Sequence, residues 1–562
     1  MQSRWITPAA CDPTSVGALR RELGLPAALA GILVRRGFSG ILEAGDFLDP
    51  KLKSLTPPEE LPGVAEAAER LLRAVSARER IVIYGDYDVD GVTSLALLWR
   101  ILRGLGANAE CFLPLRAEEG YGLSVAGVTR CCEEFRPDLL VAVDCGTNSA
   151  DEIALLAGRG VEALVIDHHE PSGCRPGALV VNPKLTDSPL RYLCSAGVVF
   201  KVAHALLKRS PDSGLDLREY LDLVALATVA DVVPLVGENR ILVRRGLLQI
   251  PRTRWPGVRA LLESAAVTSA LKGSDIGFRL GPRINASGRL GTALESLRLL
   301  TTDDPVVATA AAASLERQNR ERQNVERAVS LEAEHWVSER FDPSRDASIV
   351  AGAREWHQGV LGIVASRLAR RHHRPTVVIG FGEDGMGKGS GRSVEGFSLV
   401  DALSRCGELL EKFGGHELAA GLSIREEHFE KFRSTFESVA RAGSDAEMLI
   451  PRLGLDSELE IAEINDSFLS AQERMEPFGC GNPQPVFFAR GVRPVAEPRV
   501  LKEKHLRFDL PVGRSRLAAI YFNGVEAGLA RPPWDLAFRV ERNTFAGRDE
   551  PQLQIVAMRA SS

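Results

Sequence analysis

Three aspartates, Asp86, Asp88 and Asp90, stand at every second position in IYGDYDVDGVTS (residues 83–94), directly behind a short apolar run. Like charges placed this close repel, so the cluster is either a solvated turn or a cation site. The chain then repeats the theme of an acid or imidazole after an apolar run. Asp144 follows LLVAV, Asp167, His168 and His169 follow EALVI, and Asp231 follows LDLVALATVA. If these carboxylates gather on one edge they cannot all ionise without a compensating charge, which two divalent ions would supply. The donors are oxygen-rich, with one or two imidazoles and no thiolate, which favours Mn²⁺ or Mg²⁺ over structural zinc.

Such convergence needs a scaffold, and the surrounding pattern describes one. VAEAAERLLRAVSARER is an amphipathic helix followed by the buried strand IVIYGD. The same grammar recurs in AGVTRCCEEF then PDLLVAVDCG, and in ADEIALLAGRG then VEALVIDHHE. Alternating helices and strands predict an α/β fold with a parallel sheet, whose ligands collect at the carboxyl ends of the strands. On this reading Asp231 ends a fourth strand.

The chain has 562 residues, a length for three or four domains. Residues 1–60 form an N-terminal helical segment, 61–300 the parallel-sheet domain and 301–342 a long connector helix. Residues 343–442 form a second, smaller α/β domain, and 450–562 a small β-barrel of short runs such as HLRFDLPV, RLAAIYF and PQLQIVAM. Hydrophobic residues make up 45% and charged residues 25%, and the net charge is −5. The total charge therefore gives no hint of nucleic acid, and only local clusters such as ENRILVRRGLLQIPRTR and VASRLARRHHRP do. Nine cysteines without CxxC spacing fit reduced thiols. No leader-like or membrane-length apolar run is present, so a cytoplasmic protein without membrane contact is expected.

FGEDGMGKGSGRS has most of a P-loop, Gly382 then Gly387 and Lys388. Gly389 stands where Ser or Thr should hold magnesium, which argues against an NTPase. GGHELAAG, by itself, is a tight turn with an incidental histidine.

GDYDVDGVTS, VDCGTNS, DHHE and TVADVVP are, in order and spacing, similar to the four signature motifs of the DHH phosphoesterases. GPRINASGRL, WHQGVLGIVASRL, GKGSGRS, GGHELAAG and PFGCGNPQPVF resemble the single-strand-specific exonuclease branch of that family. The resemblance runs from about residue 45 to the C-terminus. It implies a DHH catalytic domain, a DHH-associated substrate-binding domain over 343–442 and an OB-fold over 450–562. The implied activity is two-metal hydrolysis of single-stranded DNA from the 5′ end, releasing 5′-mononucleotides in DNA repair and recombination.

In the family pattern Asp86, Asp88 and Asp90 are metal ligands, Asp144 bridges the ions, His168 binds one and Asp231 completes the shell. His169 would touch the scissile phosphate and Asp167 would orient a histidine. Gly415 and His416 would reach the substrate, with His416 at the scissile phosphate or the base. Ser390, Arg392 and Arg116 would bind the 5′-terminal phosphate, and Arg283, Asn285 and Arg289 the strand's backbone. The barrel would stack bases on some of Phe487, Phe508, Tyr521, Phe522 and Phe545 above Lys502, Lys504 and Arg507. A chain ending near Ala442 would then keep its chemistry. The family further implies a monomer working with a helicase and a single-strand-binding protein. The alternatives are a phosphodiesterase of short oligonucleotides or signalling dinucleotides, and a non-catalytic replication scaffold.

Overall fold

The computed structural model describes residues 3–561 apart from 116–118, 121, 268–270, 291, 527, 529–530 and 545–546. Arg116 and Phe545 therefore lie outside the described residues. Strand β1 (Arg4–Ile6) is followed by helices α1 (Pro13–Leu23), α2 (Ala27–Arg35) and α3 (Ile41–Leu48). Asp12 caps α1 through the N–H groups of Thr14 and Ser15, with Pro13 opening the helix.

The predicted α/β grammar holds in α4 (Val64–Ala77), β2 (Arg80–Gly85), α5 (Val89–Gly104) and β3 (Asn108–Phe112). It continues in α6 (Val125–Phe135), β4 (Leu139–Val143), α7 (Ala150–Gly158), β5 (Glu162–Ile166) and β6 (Leu179–Val181). These five strands are parallel in the order β3-β2-β4-β5-β6. β4 is buried throughout, as covered parallel strands are, which is why it reads as an unbroken apolar run. The chain leaves β2 on one side to form β3 and returns on the other as β4, so a switch point opens at the carboxyl ends of β2 and β4.

Helices α8 (Ser195–Lys208), α9 (Leu221–Ala230) and α10 (Gly237–Gln249) follow. The expected fourth strand is instead α9. Its ten residues are rich in Leu and Ala and too long for a typical strand, and a buried helix shows no useful periodicity. A π-turn over Ile276–Leu280 runs into α11 (Gly281–Leu290), and the connector is the 36-residue α12 (Pro305–Arg340).

Beyond it lie β7 (Ile349–Arg354), α13 (Leu361–His372), β8 (Thr376–Phe381), β9 (Met386–Arg392), β10 (Lys412–Gly415), β11 (Ala419–Arg425), α14 (Phe429–Gly443) and β12 (Arg452–Gly454). Their sheet runs β10-β11-β9-β8-β7, and β12 pairs with β1. Lys388 sits on strand β9, which disposes of the P-loop. The last strands are β13 (Ser457–Glu458), β14 (Phe487–Val492), β15 (Arg499–Leu501), β16 (His505–Val512), β17 (Ser515–Tyr521), β18 (Trp534–Asn543) and β19 (Glu550–Ala560). They form one seven-stranded sheet.

The chain divides into two compact units, Thr7–Glu316 with Gly454–Ser562, and Arg317–Leu453 with the first residues. In the larger unit, Leu19, Leu29, Leu33 and Phe47 share one core with Phe468, Phe487, Phe508, Trp534 and Phe538. The N-terminal segment and the C-terminal sheet are thus two halves of one packed body. Three guanidinium groups tie the PFGCGNPQPVF segment and the residues just before it to that body. Arg240 lies 3.7 Å from the Phe47 ring centroid and donates to the carbonyls of Phe47, Arg474 and Glu476. Arg244 donates to the Glu473 and Glu476 carbonyls, and Arg36 to Asn482 Oδ1 and the Pro483 carbonyl. Truncation near Ala442 would remove half of this core, so the expectation of a functional shortened chain does not survive.

Candidate metal centre

The acids named from the sequence converge at the switch point. Asp86 follows β2, Asp88 caps α5 by accepting the Gly91 N–H at 3.0 Å, and Asp90 lies in the first turn of α5. Gly91 permits this tight loop, since a Cβ there would stand 2.5 Å from the Asp86 carbonyl oxygen. Asp144 follows β4 at φ 62°, a left-handed conformation that aspartate adopts more readily than most residues. Asp167, His168 and His169 follow β5, and Asp231 follows the C-terminus of α9.

The N-terminus of α8 orients two of them. Asp90 accepts the N–H groups of Ser195 (2.7 Å) and Ala196 (2.9 Å), where the helix dipole also favours an anion. The buried Ser195 hydroxyl donates to Asp144 Oδ1 at 2.9 Å. Asp167 accepts the Thr147 N–H at 3.0 Å and lies 2.7 Å from His169 Nδ1. Asn182 Nδ2 donates to Thr147 Oγ1 and to the His169 carbonyl, both at 2.9 Å. Ser195, Thr147 and Asn182 were missed by sequence reasoning. Only Ser195 left a signal, a serine just ahead of the helical run AGVVFKVAHALL.

Three groups of donors lie within 4.8 Å of one another: Asp86, Asp88 and Asp144; Asp90, His168 and Asp231; and Asp144, His168 and His169. His168 Nε2 lies 3.4 Å from Asp144 Oδ1, 3.6 Å from Asp231 Oδ2 and 3.8 Å from Asp90 Oδ2. Ligands about 2.1 Å from a common ion and at right angles would be about 3 Å apart, so this spacing suits donors around a cation. Burial, with the charge of Asp88, pushes the Asp86 carboxyl up to about 7. Burial and neighbouring carboxylates also raise Asp90, Asp144 and Asp231. Asp167 is the exception: burial would raise it, but its hydrogen bonds to His169 and Thr147 prevail and hold it low. Burial lowers His168, keeping its imidazole neutral as a ligand must be.

Asp86 Oδ2, Asp231 Oδ2 and His168 Nδ1 are buried without a hydrogen-bond partner among the described residues. Leaving such atoms unmatched is costly. Divalent ions held by Asp86, Asp88, Asp90, Asp144, His168 and Asp231 would satisfy the carboxylates, so the residues fit a pair of hard cations. The nearby Cys145 and Cys194 are raised by burial and stay neutral thiols.

The smaller unit holds the other candidates. In β9, Gly387, Gly389 and Gly391 face Phe381, Leu422 and Leu399, so Ser390 and Arg392 point to the opposite side. Arg392 Nη1 donates to Ser390 Oγ at 3.1 Å and to the Gly391 carbonyl at 2.7 Å. It has no carboxylate partner among the described residues, and burial alone lowers its pKa. A Cβ on Gly362, in the first turn of α13, would be 3.0 Å from both Arg392 Nη2 and Ser390 Oγ. An uncompensated guanidinium, a hydroxyl and a helix N-terminus therefore meet, the elements of an anion site. Gly415 (φ 144°) and His416 are exposed, and the His416 N–H donates to the Ala419 carbonyl at 2.8 Å.

On α11, Arg283 is engaged by Glu316 (2.8 Å) and the Arg279 carbonyl (2.6 Å), while Asn285 and Arg289 are half-buried. Of the aromatic residues suggested for base stacking, Phe487 and Phe508 are core, Tyr521 packs against it and Phe522 is exposed. Lys502 and Lys504 are exposed and Arg507 half-buried.

Comparison with known proteins matches three family models: the DHH family N-terminal domain over residues 80–228, the DHHA1 domain over 346–442 and the RecJ OB domain over 455–557. The chain is 34% identical to the single-stranded-DNA-specific exonuclease RecJ of Bacillus subtilis, covering 97% of this chain and 69% of that protein. It is 37% identical to the Dickeya dadantii protein of the same description, over 94% of this chain and 96% of the relative. The crystal structure of RecJ in complex with Mn²⁺ from Thermus thermophilus matches with a TM-score of 0.86 at 35% identity, covering 100% of this chain and 80% of that one. With identities above 30% over nearly its whole length, the chain belongs to the RecJ family of DHH proteins.

Proposed function

We propose that the protein is a 5′-to-3′ exonuclease of single-stranded DNA that releases 5′-mononucleotides, with Mn²⁺ or Mg²⁺ as a pair of ions. The observation that carries the reading is the donor set in which Asp144 is shared between two groups of ligands. Bound divalent ions supply water activation and neutralise charge on the transferring phosphate. Asp86, Asp88, Asp90, Asp144, His168 and Asp231 would hold them, with Asp90 and Asp144 set in place by the start of α8. Asp167 fixes His169 through Nδ1, assigning Nε2 to a phosphate oxygen. Arg392 and Ser390 take the terminal phosphate, which gives the enzyme its direction, and Arg116 is assigned to the same phosphate from the sequence resemblance alone. Gly415 and His416 approach the scissile phosphate or the base, and Asn285 and Arg289 the strand's backbone. Arg283 would join them only by exchanging Glu316 for a phosphate.

The reading places the enzyme in the cytoplasm in DNA repair and recombination, as a monomer fed by a helicase and a single-strand-binding protein. All nine cysteines are free, as a reducing compartment requires, and no described helix is long and apolar enough to cross a membrane. End-labelled 50-mers, single-stranded and duplex, incubated with each ion test the reading. Mononucleotides should appear from the 5′ end of the single strand alone. No cleavage with either ion, or equal cleavage of duplex, would remove it, and preference for a dinucleotide would favour the signalling alternative.

A further inference from the structure

We propose that Phe278, at the rim of the metal centre, is a stacking platform for a nucleobase of the bound strand, with Val232 extending the same apolar shelf. The inference rests on the single-strand nuclease reading. The π-turn Ile276–Leu280 packs on α9, and two glycines reveal which face of the following α11 meets the catalytic loops. A Cβ on Gly281 would lie 3.5 Å from the Cβ of Ala230, which precedes Asp231. A Cβ on Gly288 would lie 2.9 Å from the carbonyl oxygen of Tyr87, between Asp86 and Asp88.

Residues three, four and seven apart share a helix face. On α11 the stripe therefore runs from Gly281 through Asn285 to Gly288 and is bordered by Arg289, and the π-turn that carries Phe278 leads directly into it. Ile276 and Leu280 are buried, yet Phe278 between them is 82% exposed. Irregular π-turns of this kind collect at functional sites. Val232, directly after Asp231, is 66% exposed and held at φ 60°. A β-branched residue is strained in that conformation, and glycine would make the same turn without strain. An apolar side chain is thus presented to solvent beside the ligands at a cost in strain.

The occupant follows from what continues the stripe. From Phe278 to Arg289 is about 16 Å at 1.5 Å per residue, leading from an aromatic face to an amide and then a cation. A partner helix would need a continuous apolar face. A single strand needs a π-face for its bases and cations for its phosphates, the order found here.

The test measures fluorescence anisotropy of a labelled 12-mer of thymidylate in EDTA, so that no cleavage intervenes. Single abasic residues are stepped through the first six positions from the 5′ end. Phe278→Ala, at a largely exposed side chain, should weaken binding by about fivefold to 150-fold, the range of one base–aromatic stack. One abasic position should cost the unaltered protein the same factor and Phe278→Ala nothing. Phe278→Trp should restore binding, and Val232→Gly should bind less tightly while melting no lower. Binding by Phe278→Ala within twofold of the unaltered protein, or equal abasic sensitivity of both at every position, would overturn the proposal. An unaltered protein that neither binds nor cuts the 12-mer would overturn the nuclease reading itself, and this inference with it.

Discussion

Replacing Arg392 by alanine should sort substrates by their 5′ ends. The guanidinium is half-buried and donates to the neutral Ser390 hydroxyl and Gly391 carbonyl, so no carboxylate among the described residues competes with an incoming phosphate. Its desolvation is already met in the folded protein, as its lowered pKa indicates. A charge-assisted contact of this kind is worth about 1.5–3 kcal/mol, or about tenfold to 150-fold. Single-turnover rates on 5′-phosphoryl and 5′-hydroxyl oligonucleotides measure the difference. The phosphorylated strand should lose that factor and the hydroxyl strand little. Stability should scarcely change, because the loss of two neutral hydrogen bonds is offset by removal of a half-buried, uncompensated cation. Gly362→Ala should act in the same direction but more weakly, since its methyl group would stand 3.0 Å from the Arg392 and Ser390 side chains and displace them. Arg392→Lys keeps the charge without the fork and should fall between. Equal losses on both substrates would refute the assignment of Arg392 to the terminal phosphate.

Asp144→Ala should abolish cleavage while leaving strand binding intact. Mn²⁺ at about 100 times its Kd should stabilise the unaltered protein by about 2.7 kcal/mol in a thermal melt, and Asp144→Ala much less. A chain ending near Ala442 should fail to fold, because α1–α3 would lose their core partners; a cooperative melt with full nuclease activity from that fragment would contradict the shared core. Asp222, buried and bonded to Thr253, is raised by burial to about 6. Its native form therefore holds the proton more tightly than the unfolded chain does, so its effect is least unfavourable below pH 4. As pH rises from about 4 to 6 it costs about 3 kcal/mol of stability. Asp222→Asn should remove that loss, and parallel stability–pH curves for the two proteins in denaturant melts would rule it out.

The sequence by itself determined the local chemistry and the alternation that carries it. Apolar runs ending in Asp86, Asp144 and Asp167, each alternating with a helical pattern, read as covered parallel strands, and such strands present their carboxyl ends at one edge. Asp231 reached the same edge from the end of a helix, because a short buried apolar run has no periodicity to distinguish the two. What pairs with what was decided by tertiary structure alone. Ser195 joins Asp90 to Asp144 from 51 residues beyond the latter, and Thr147 and Asn182 support His169 through contacts that leave no local pattern. Phe487 and Phe508 look like stacking residues until their core is seen, and Phe278 looks like core until its exposure is seen. The union of the N-terminal helices with the C-terminal sheet is likewise invisible in sequence. Burial depends on which surfaces meet, and surfaces separated by more than 400 residues meet only when the chain has folded.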